Sequence, residues 1–262
     1  MDGDATVGRA AASAPPVSAW RVGKAFGTSE VIRSVSFSLG RGEIVSIVGP
    51  SGCGKTTLLN MICGLLPPSR GGVMWYGREL DGVPPRAGYM LQKDLLLPWR
   101  TAFENAALGL QVRGVGRGER RERVMDLLER LGLAGFAEYY PSALSGGMRQ
   151  RVALARTFAS DPEVLLLDEP FSALDFQTKI LIERDTARLV RGSGRSLLLI
   201  THDIEEAVTL SDRVIVLSHR PCTVVAEHAI VLGGDRTDMM AARESPEFAH
   251  HVRTIWNELD IH

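Results

Sequence analysis

The sequence predicts an α/β fold: helices covering a largely parallel sheet, with an N-terminal antiparallel β layer and a helical insertion. Three observations predict it. Short strand-like runs such as residues 164–167 and 197–200 are apolar along their whole length, as expected where helices cover both faces of a parallel sheet. A glycine-rich turn joins an apolar strand at residues 43–48 to an apolar-faced helix at 57–62. Mid-chain, Val124, Leu127, Leu128 and Leu131 fall at helical spacing. In order along the chain, residues 17–48 alternate as strands do, with Val35, Phe37 and Leu39 on one face and turns at Gly27, Gly40 and Gly42. After the first helix come a turn at 67–72 and strands at 73–76 and near 88–91. Beyond Gln92 the character is helical: a helix spans 119–131, and another opens at Ser145-Gly146-Gly147 with Met148, Val152, Ala155 and Ala159 on one face, ending before Asp161-Pro162. Repeated β–α units follow: strand 164–167, helix 180–190, strand 196–200, a helix from Asp203 and strand 213–217. Residues 247–262 read as a short helix without a ligand site.

The 262 residues suffice for one large or two small domains, and 45% apolar content supplies a core. A net charge of −1, from 30 basic and 31 acidic residues, gives no electrostatic reason to expect a nucleic-acid partner. The arginines between Arg113 and Arg123 alternate with Glu119 and Glu122, so they read as a solvated helix face. Cys53, Cys63 and Cys222 form no C-x-x-C pair, which argues against a disulfide framework or zinc site and for a reducing compartment. No apolar run approaches bilayer-spanning length. Residues 1–16 lack a secretory signal's basic start and apolar stretch and read as a disordered, frayed tail.

Residues Gly49, Pro50, Ser51, Gly52, Cys53, Gly54, Lys55, Thr56 and Thr57 fit the phosphate-loop pattern G-x-x-x-x-G-K-[ST] in its strand–turn–helix context. Its glycines let backbone N–H groups face a pyrophosphate at a helix N-terminus, and Lys55 can reach the outer phosphates. The Lys55 signal stands out because only four lysines occur, the others being Lys24, Lys93 and Lys179. Thr56 would place its hydroxyl on Mg²⁺. The core is therefore that of a P-loop NTPase. Two further clusters sit at strand carboxyl ends, where ligands gather in such sheets: Asp168-Glu169 and Thr201-His202. Alone, the acidic pair also fits a cap or turn, and the histidine a cap or core residue. Converging beside a phosphate loop, Asp168 suits magnesium, Glu169 a base polarising the attacking water, and His202 a γ-phosphate contact.

A second glycine-rich helix start, residues 144–150, has a serine to cap it and a dipole to attract an anion, but no lysine. With this Leu-Ser-Gly-Gly element, the chain resembles the ATP-binding subunits of ABC transporters. Similarity extends over about residues 17–225, through the phosphate loop, Gln92, residues 165–170, residues 172–175 and His202, in the family's order and spacing. The resemblance implies an ABC ATPase that binds ATP and Mg²⁺ as a head-to-tail homodimer. Two ATP molecules would be sandwiched between Gly49 to Thr57 of one copy and Ser145, Gly146 and Gly147 of the other. Phe26 would stack on adenine, where the family often has tyrosine. Gln92 would sense magnesium or the attacking water, and Asp175 would lie on the loop linking the two sites. Glu169, His202, Lys55 and Gln92 would carry catalysis; Thr56, Gln92 and Asp168 would serve the metal.

The expected organisation is a tail at 1–16, the ATPase domain at 17–225 with a helical subdomain about 93–160, and a C-terminal extension at 226–262. Residues 94–99, just after Gln92, form an apolar loop segment. Exposed, it is a docking patch for a membrane subunit; buried, it is ordinary packing. Residues 97–101, 104–110, 171–178 and 218–221 look like importers of nitrate, sulfonate, taurine and related solutes. That subgroup resemblance implies permease subunits, a solute-binding protein and a peripheral place on the cytoplasmic face of the membrane. The rival reading, a mechanical ABC ATPase acting on DNA or ribosomes, would call for paired cassettes, coiled coils or zinc insertions, and the sequence shows none.

Overall fold

A computed structural model describes residues 14–233 and 238–259; most of the expected N-terminal tail lies outside the described residues. Strands β1 (Val17–Phe26) and β2 (Ser29–Leu39) form an antiparallel hairpin, with Val17 opposite Leu39. On the other side of β1 lie β4 (Arg70–Trp75) and β5 (Arg78–Glu79), also antiparallel. Strands β3 (Ile44–Val48), β6 (Ala87–Met90), β7 (Val164–Asp168), β8 (Ser196–Ile200) and β9 (Arg213–Leu217) form a parallel group in the order β9-β3-β8-β7-β6. The two groups join through β10 (Cys222–Ala229), which runs parallel to β2 and antiparallel to β9, giving one ten-stranded sheet.

Strands β7 and β8 are buried along their full length. Leu165, Leu167, Leu197 and Leu199 face one core, which they share with the helical insertion; Val164, Leu166, Leu198 and Ile200 face the other, which they share with the β layer and α1 (Lys55–Ile62). This is the period-two alternation of a strand whose two sides are both covered, and each fully buried aliphatic side chain stabilises by about 1.5–3 kcal/mol.

The insertion carries α2 (Ala102–Ala106), α3 (Leu108–Val112), α4 (Arg117–Arg130) and α5 (Gly146–Ala159). Thr101 and Glu104 form a reciprocal capping box on α2. The arginines of α4 are solvated as expected, with Arg123 paired to Glu119 one turn away. Helix α6 (Phe176–Ser193) starts four residues before the expected position, because Asp175 caps it, accepting from Thr178 N–H at 3.0 Å. It ends at Gly194, whose φ of 66° is left-handed. Helix α7 (Ile204–Leu210) follows β8.

The boundary expected at residue 225 falls inside β10, so the sheet continues to Ala229. The alternation of half-buried and exposed positions along that strand marks a less covered part of the sheet, and its partners lie far away in sequence. Beyond it, α8 (Met239–Glu244) and α9 (Pro246–Leu259) pack Ala242, Phe248 and Ile255 against Val48, Val208 and Val216. The C-terminal segment thus shares a core with the last residue of β3.

Candidate active site

Four neighbouring parallel strands, β3, β8, β7 and β6, end on the same edge of the sheet. Their ends deliver, in that spatial order, Gly49 to Thr57, His202, Asp168 with Glu169, and Gln92. The phosphate loop turns through Gly52 at φ 76° and Gly54 at φ 118°. A Cβ on Gly54 would lie 2.9 Å from Val31 Cγ1, so backbone conformation and close packing both require glycine. Ser51, Gly52 and Thr56 are exposed, Cys53 is buried beneath the loop, and Thr57 and Pro50 are half-buried. Lys55 is buried, and its Nζ donates to Gly49 O at 2.7 Å and Pro50 O at 3.0 Å. The ammonium therefore lies over the loop that it serves, and one of its three protons remains for a phosphate oxygen. The Cys222 thiol hydrogen-bonds Cys53 and, with help from the Lys55 charge, pulls Cys53 down to about 7 against burial; the same contact pushes Cys222 up.

Asp168 is 1% exposed, and its Oδ2 has no hydrogen-bond partner. Burial pushes its carboxyl above the ordinary value, a shift opposed by the Thr56 hydroxyl and the Lys55 charge and reinforced by Glu169. A buried, unsatisfied carboxylate oxygen beside the threonine hydroxyl offers a hard cation two oxygen donors, so the residues fit Mg²⁺. Among the described residues no cluster of three His, Cys, Asp or Glu could hold a metal, as suits an ion that takes most of its ligands from phosphate and water.

Glu169 is gripped from both sides. Gln92 Nε2 donates to its Oε2 at 3.0 Å, and His202 Nδ1 lies 3.2 Å from its Oε1. Its backbone φ of 48° is left-handed, rare for a glutamate; its N–H donates to Ile200 O at 2.8 Å, and its carbonyl accepts from Gln150 and Ser172. Such a constrained carboxylate can hold a water that lies between it and the phosphate loop, and can take a proton from it. Gln150 is the last residue of the second glycine motif, and its sequence position gives it no separate role. Its contact with Glu169 depends on tertiary placement of α5 that no local pattern encodes.

The other sequence-predicted residues lie around this centre. Phe26 closes β1 at the hairpin tip, is half exposed, and has Lys24 Nζ 5.3 Å from its ring centroid. The following strand brings Val31 and Ile32 against Gly54, so the tip stands beside the phosphate loop. Ser145 caps α5, accepting from Met148 N–H at 3.2 Å; Ser145 and Gly146 are exposed. No hydrogen bond among the described residues joins Ser145, Gly146 or Gly147 to the phosphate loop. Gly147 sits instead against Ala173 and Leu174, on the loop leading to exposed Asp175. In the segment after Gln92, Leu95 and Trp99 are exposed while Leu96 is buried. Asn105 fixes this segment by bonding both the N–H and the carbonyl of Leu97, and Arg156 holds the carbonyls of Asp94 and Leu95.

Residues 32–172 match the family model described as ABC transporter. Among curated proteins, an uncharacterized ABC transporter ATP-binding protein, YtlC of Bacillus subtilis (strain 168), is 44% identical over 235 residues, covering 87% of this chain and 88% of its own. The taurine import ATP-binding protein TauB of Burkholderia pseudomallei (strain K96243) is 44% identical over 204 residues, covering 78% of each chain. Among solved structures, the dimeric bacterial ABC transporter cassette MJ0796 superposes with a TM-score of 0.77 at 32% identity, covering 82% of this chain and 99% of that one. Its dimeric post-hydrolysis state bound to ADP and Pi superposes with a TM-score of 0.74.

Proposed function

Since the chain belongs to the ABC transporter family, as an ATP-binding subunit that hydrolyses ATP, we propose that it powers import of a small solute through ATP-driven closure of a head-to-tail homodimer. The observation that carries the site assignment is the convergence of the phosphate loop, Glu169, His202 and Gln92 at the ends of four adjacent parallel strands. Glu169 accepts the proton of the attacking water, while Gln92 and His202 keep its two oxygens aimed. Lys55 and the loop amides neutralise the moving phosphoryl group, and His202 contacts its far side. Thr56 and Asp168, with Gln92 at the edge, would hold Mg²⁺, which when bound would supply positive charge that neutralises the phosphate.

In this reading the exposed Ser145 and Gly146, with half-buried Gly147, of one copy close over ATP on the other, and Asp175 links the two sites. The dimeric assembly of the MJ0796 cassettes supports it. Phe26 stacks on the adenine ring. Exposed Leu95 and Trp99 dock a permease subunit, with Asn105 and Arg156 holding the segment rigid. No helix among the described residues is long and apolar enough to cross a membrane; separate permease subunits supply the pathway, and the chain works at the cytoplasmic face with a solute-binding protein upstream. The cargo in this reading is nitrate, a sulfonate, taurine or a related solute, and relatives named for taurine import support the taurine end of that range.

Phosphate release by purified protein tests the chemistry. The Glu169→Gln variant keeps the shape of the side chain and its bond to Gln92 but loses the proton acceptor, so hydrolysis should fall about 10²–10⁴-fold with ATP binding retained. Turnover within threefold of the unmodified chain overturns the assignment.

A further inference from the structure

The C-terminal extension is bonded to the elements that carry Asp175 and His202. Arg243 on α8 donates from Nη2 to Glu183 Oε2 on α6 at 3.1 Å and from Nε to Thr209 Oγ1 on α7 at 3.3 Å. Its guanidinium carbon lies 6.0 Å from the ring centroid of Phe176, the residue after Asp175. Glu183 is fully buried, and its Oε1 has no hydrogen-bond partner; Lys179 Nζ stands 3.7 Å away. That ammonium is engaged more closely elsewhere, at 2.6 Å from Asp203 Oδ2 and 2.8 Å from Glu206 Oε2.

Both ends of this network reach the nucleotide site. Lys179 N–H donates to the carbonyl of Asp175 at 2.8 Å. Asp203 directly follows His202, and its N–H donates to Thr201 Oγ1 at 3.0 Å. With Arg243 present, Glu183, Asp203 and Glu206 share two cations; without it they share one. A buried carboxylate that loses its partner is strongly unfavourable, so Glu183 would either take up a proton or draw Lys179 away from Asp203 and Glu206. Burial pushes Glu183 up to about 7, against the lowering charges of Arg243 and Lys179.

We infer that Arg243 is a positioning residue of the nucleotide site: it holds Lys179 between Asp203 and Glu206, and thereby fixes the loops that bear Asp175 and His202. The effect on turnover rests on the ATPase reading above; the effect on the loops does not. A second observation agrees with it, because Trp256 and Leu259 of α9 line a cavity of about 400 Å³ together with Gly49, Pro50, Ser51 and His202. The extension thus faces the phosphate loop across a shared cavity as well as bonding to the elements behind it.

The test compares the full chain with Arg243→Ala, Arg243→Lys and the double variant Arg243→Ala/Glu183→Gln, using amide hydrogen exchange and steady-state ATP hydrolysis. Arg243→Ala should exchange about tenfold faster across residues 172–178 and 200–206, with α1 and β3 unchanged. Its kcat should fall about tenfold while KM for ATP stays within about twofold. Arg243→Lys, which keeps the charge, and the double variant, which removes the unpaired carboxylate, should each recover at least half of both effects. Wild-type exchange in the two segments of Arg243→Ala, or acceleration spread equally over α1 and β3, overturns the inference, as does failure of both rescuing variants. If the unmodified chain hydrolyses no ATP yet exchange responds as described, the network stands and the ATPase reading falls.

Discussion

Replacing Asp168 by Asn separates what the buried carboxylate contributes to nucleotide binding from its effect on the nucleotide-free fold. Asp168 is buried, its Oδ2 is unpartnered and its carboxyl is raised above the ordinary 3.8 by burial. The native state therefore holds that proton more tightly than the unfolded chain does. Stability contributed by this group is intact below the ordinary value and is lost as pH rises through the raised one. Asparagine keeps an oxygen to accept from Thr56, removes repulsion from Glu169 and gives up attraction to Lys55. An unsatisfied buried polar group costs about 1–3 kcal/mol, more when charged. Asparagine leaves its own Nδ2 unpartnered where Oδ2 stood, so only the added cost of the charge is relieved, less the lost attraction to Lys55. The variant should gain about 1 kcal/mol at pH 8, a rise of about 2–4 °C in Tm. The assay is thermal unfolding by circular dichroism without nucleotide at pH 8 and 5, where the gain should narrow at the lower pH. With Mg-ATP at a hundredfold excess over its Kd the unmodified chain should gain about 2.7 kcal/mol, and the variant should lose most of that. A variant less stable than the parent without nucleotide, or one stabilised equally by Mg-ATP, refutes the reasoning.

Two further substitutions probe the two glycine-rich helix starts. Gly54→Ala places a Cβ 2.9 Å from Val31 Cγ1 at a φ of 118°, and urea unfolding should show a loss of about 1–3 kcal/mol together with weakened ATP binding. Ser145→Ala removes the α5 cap and should cost about 1 kcal/mol in the same assay; ATP-dependent association, read by size-exclusion chromatography, should weaken well beyond what that stability loss explains.

The elements legible in the sequence are those whose signals are local. Strands β7, β8 and β9 announce themselves by unbroken apolar runs, and the phosphate loop by glycines that the backbone demands at Gly52 and Gly54. The phosphate loop, Asp168-Glu169 and Thr201-His202 are readable as three strand ends, whereas Gln92 enters only through the family resemblance; the structure brings both Gln92 and His202 within reach of Glu169. What escaped depends on contacts between distant segments. Strand β10 is placed by pairing with β2, about 190 residues earlier, and its own mixed pattern looks like the start of a tail. The pairing of Cys53 with Cys222, and the bond from Gln150 to Glu169, likewise need the assembled sheet. Nothing in the spacing of Lys179 and Glu183 reveals that Arg243 arrives from α8 to pair with Glu183. The segment 94–99 divides what a hydropathy reading treats as one unit: Leu96 goes inward, Leu95 and Trp99 outward.

Within one chain, Ser145 and Gly146 are exposed at a helix start, and among the described residues no hydrogen bond joins them to the loop that holds Lys55, so the proposed site needs a second copy to bring them together across ATP. Static light scattering of the Glu169→Gln variant measures this directly. Saturating Mg-ATP should convert the monomer to a species of twice its mass that persists until the nucleotide is removed, whereas a monomeric mass at saturation would contradict the proposed two-chain site.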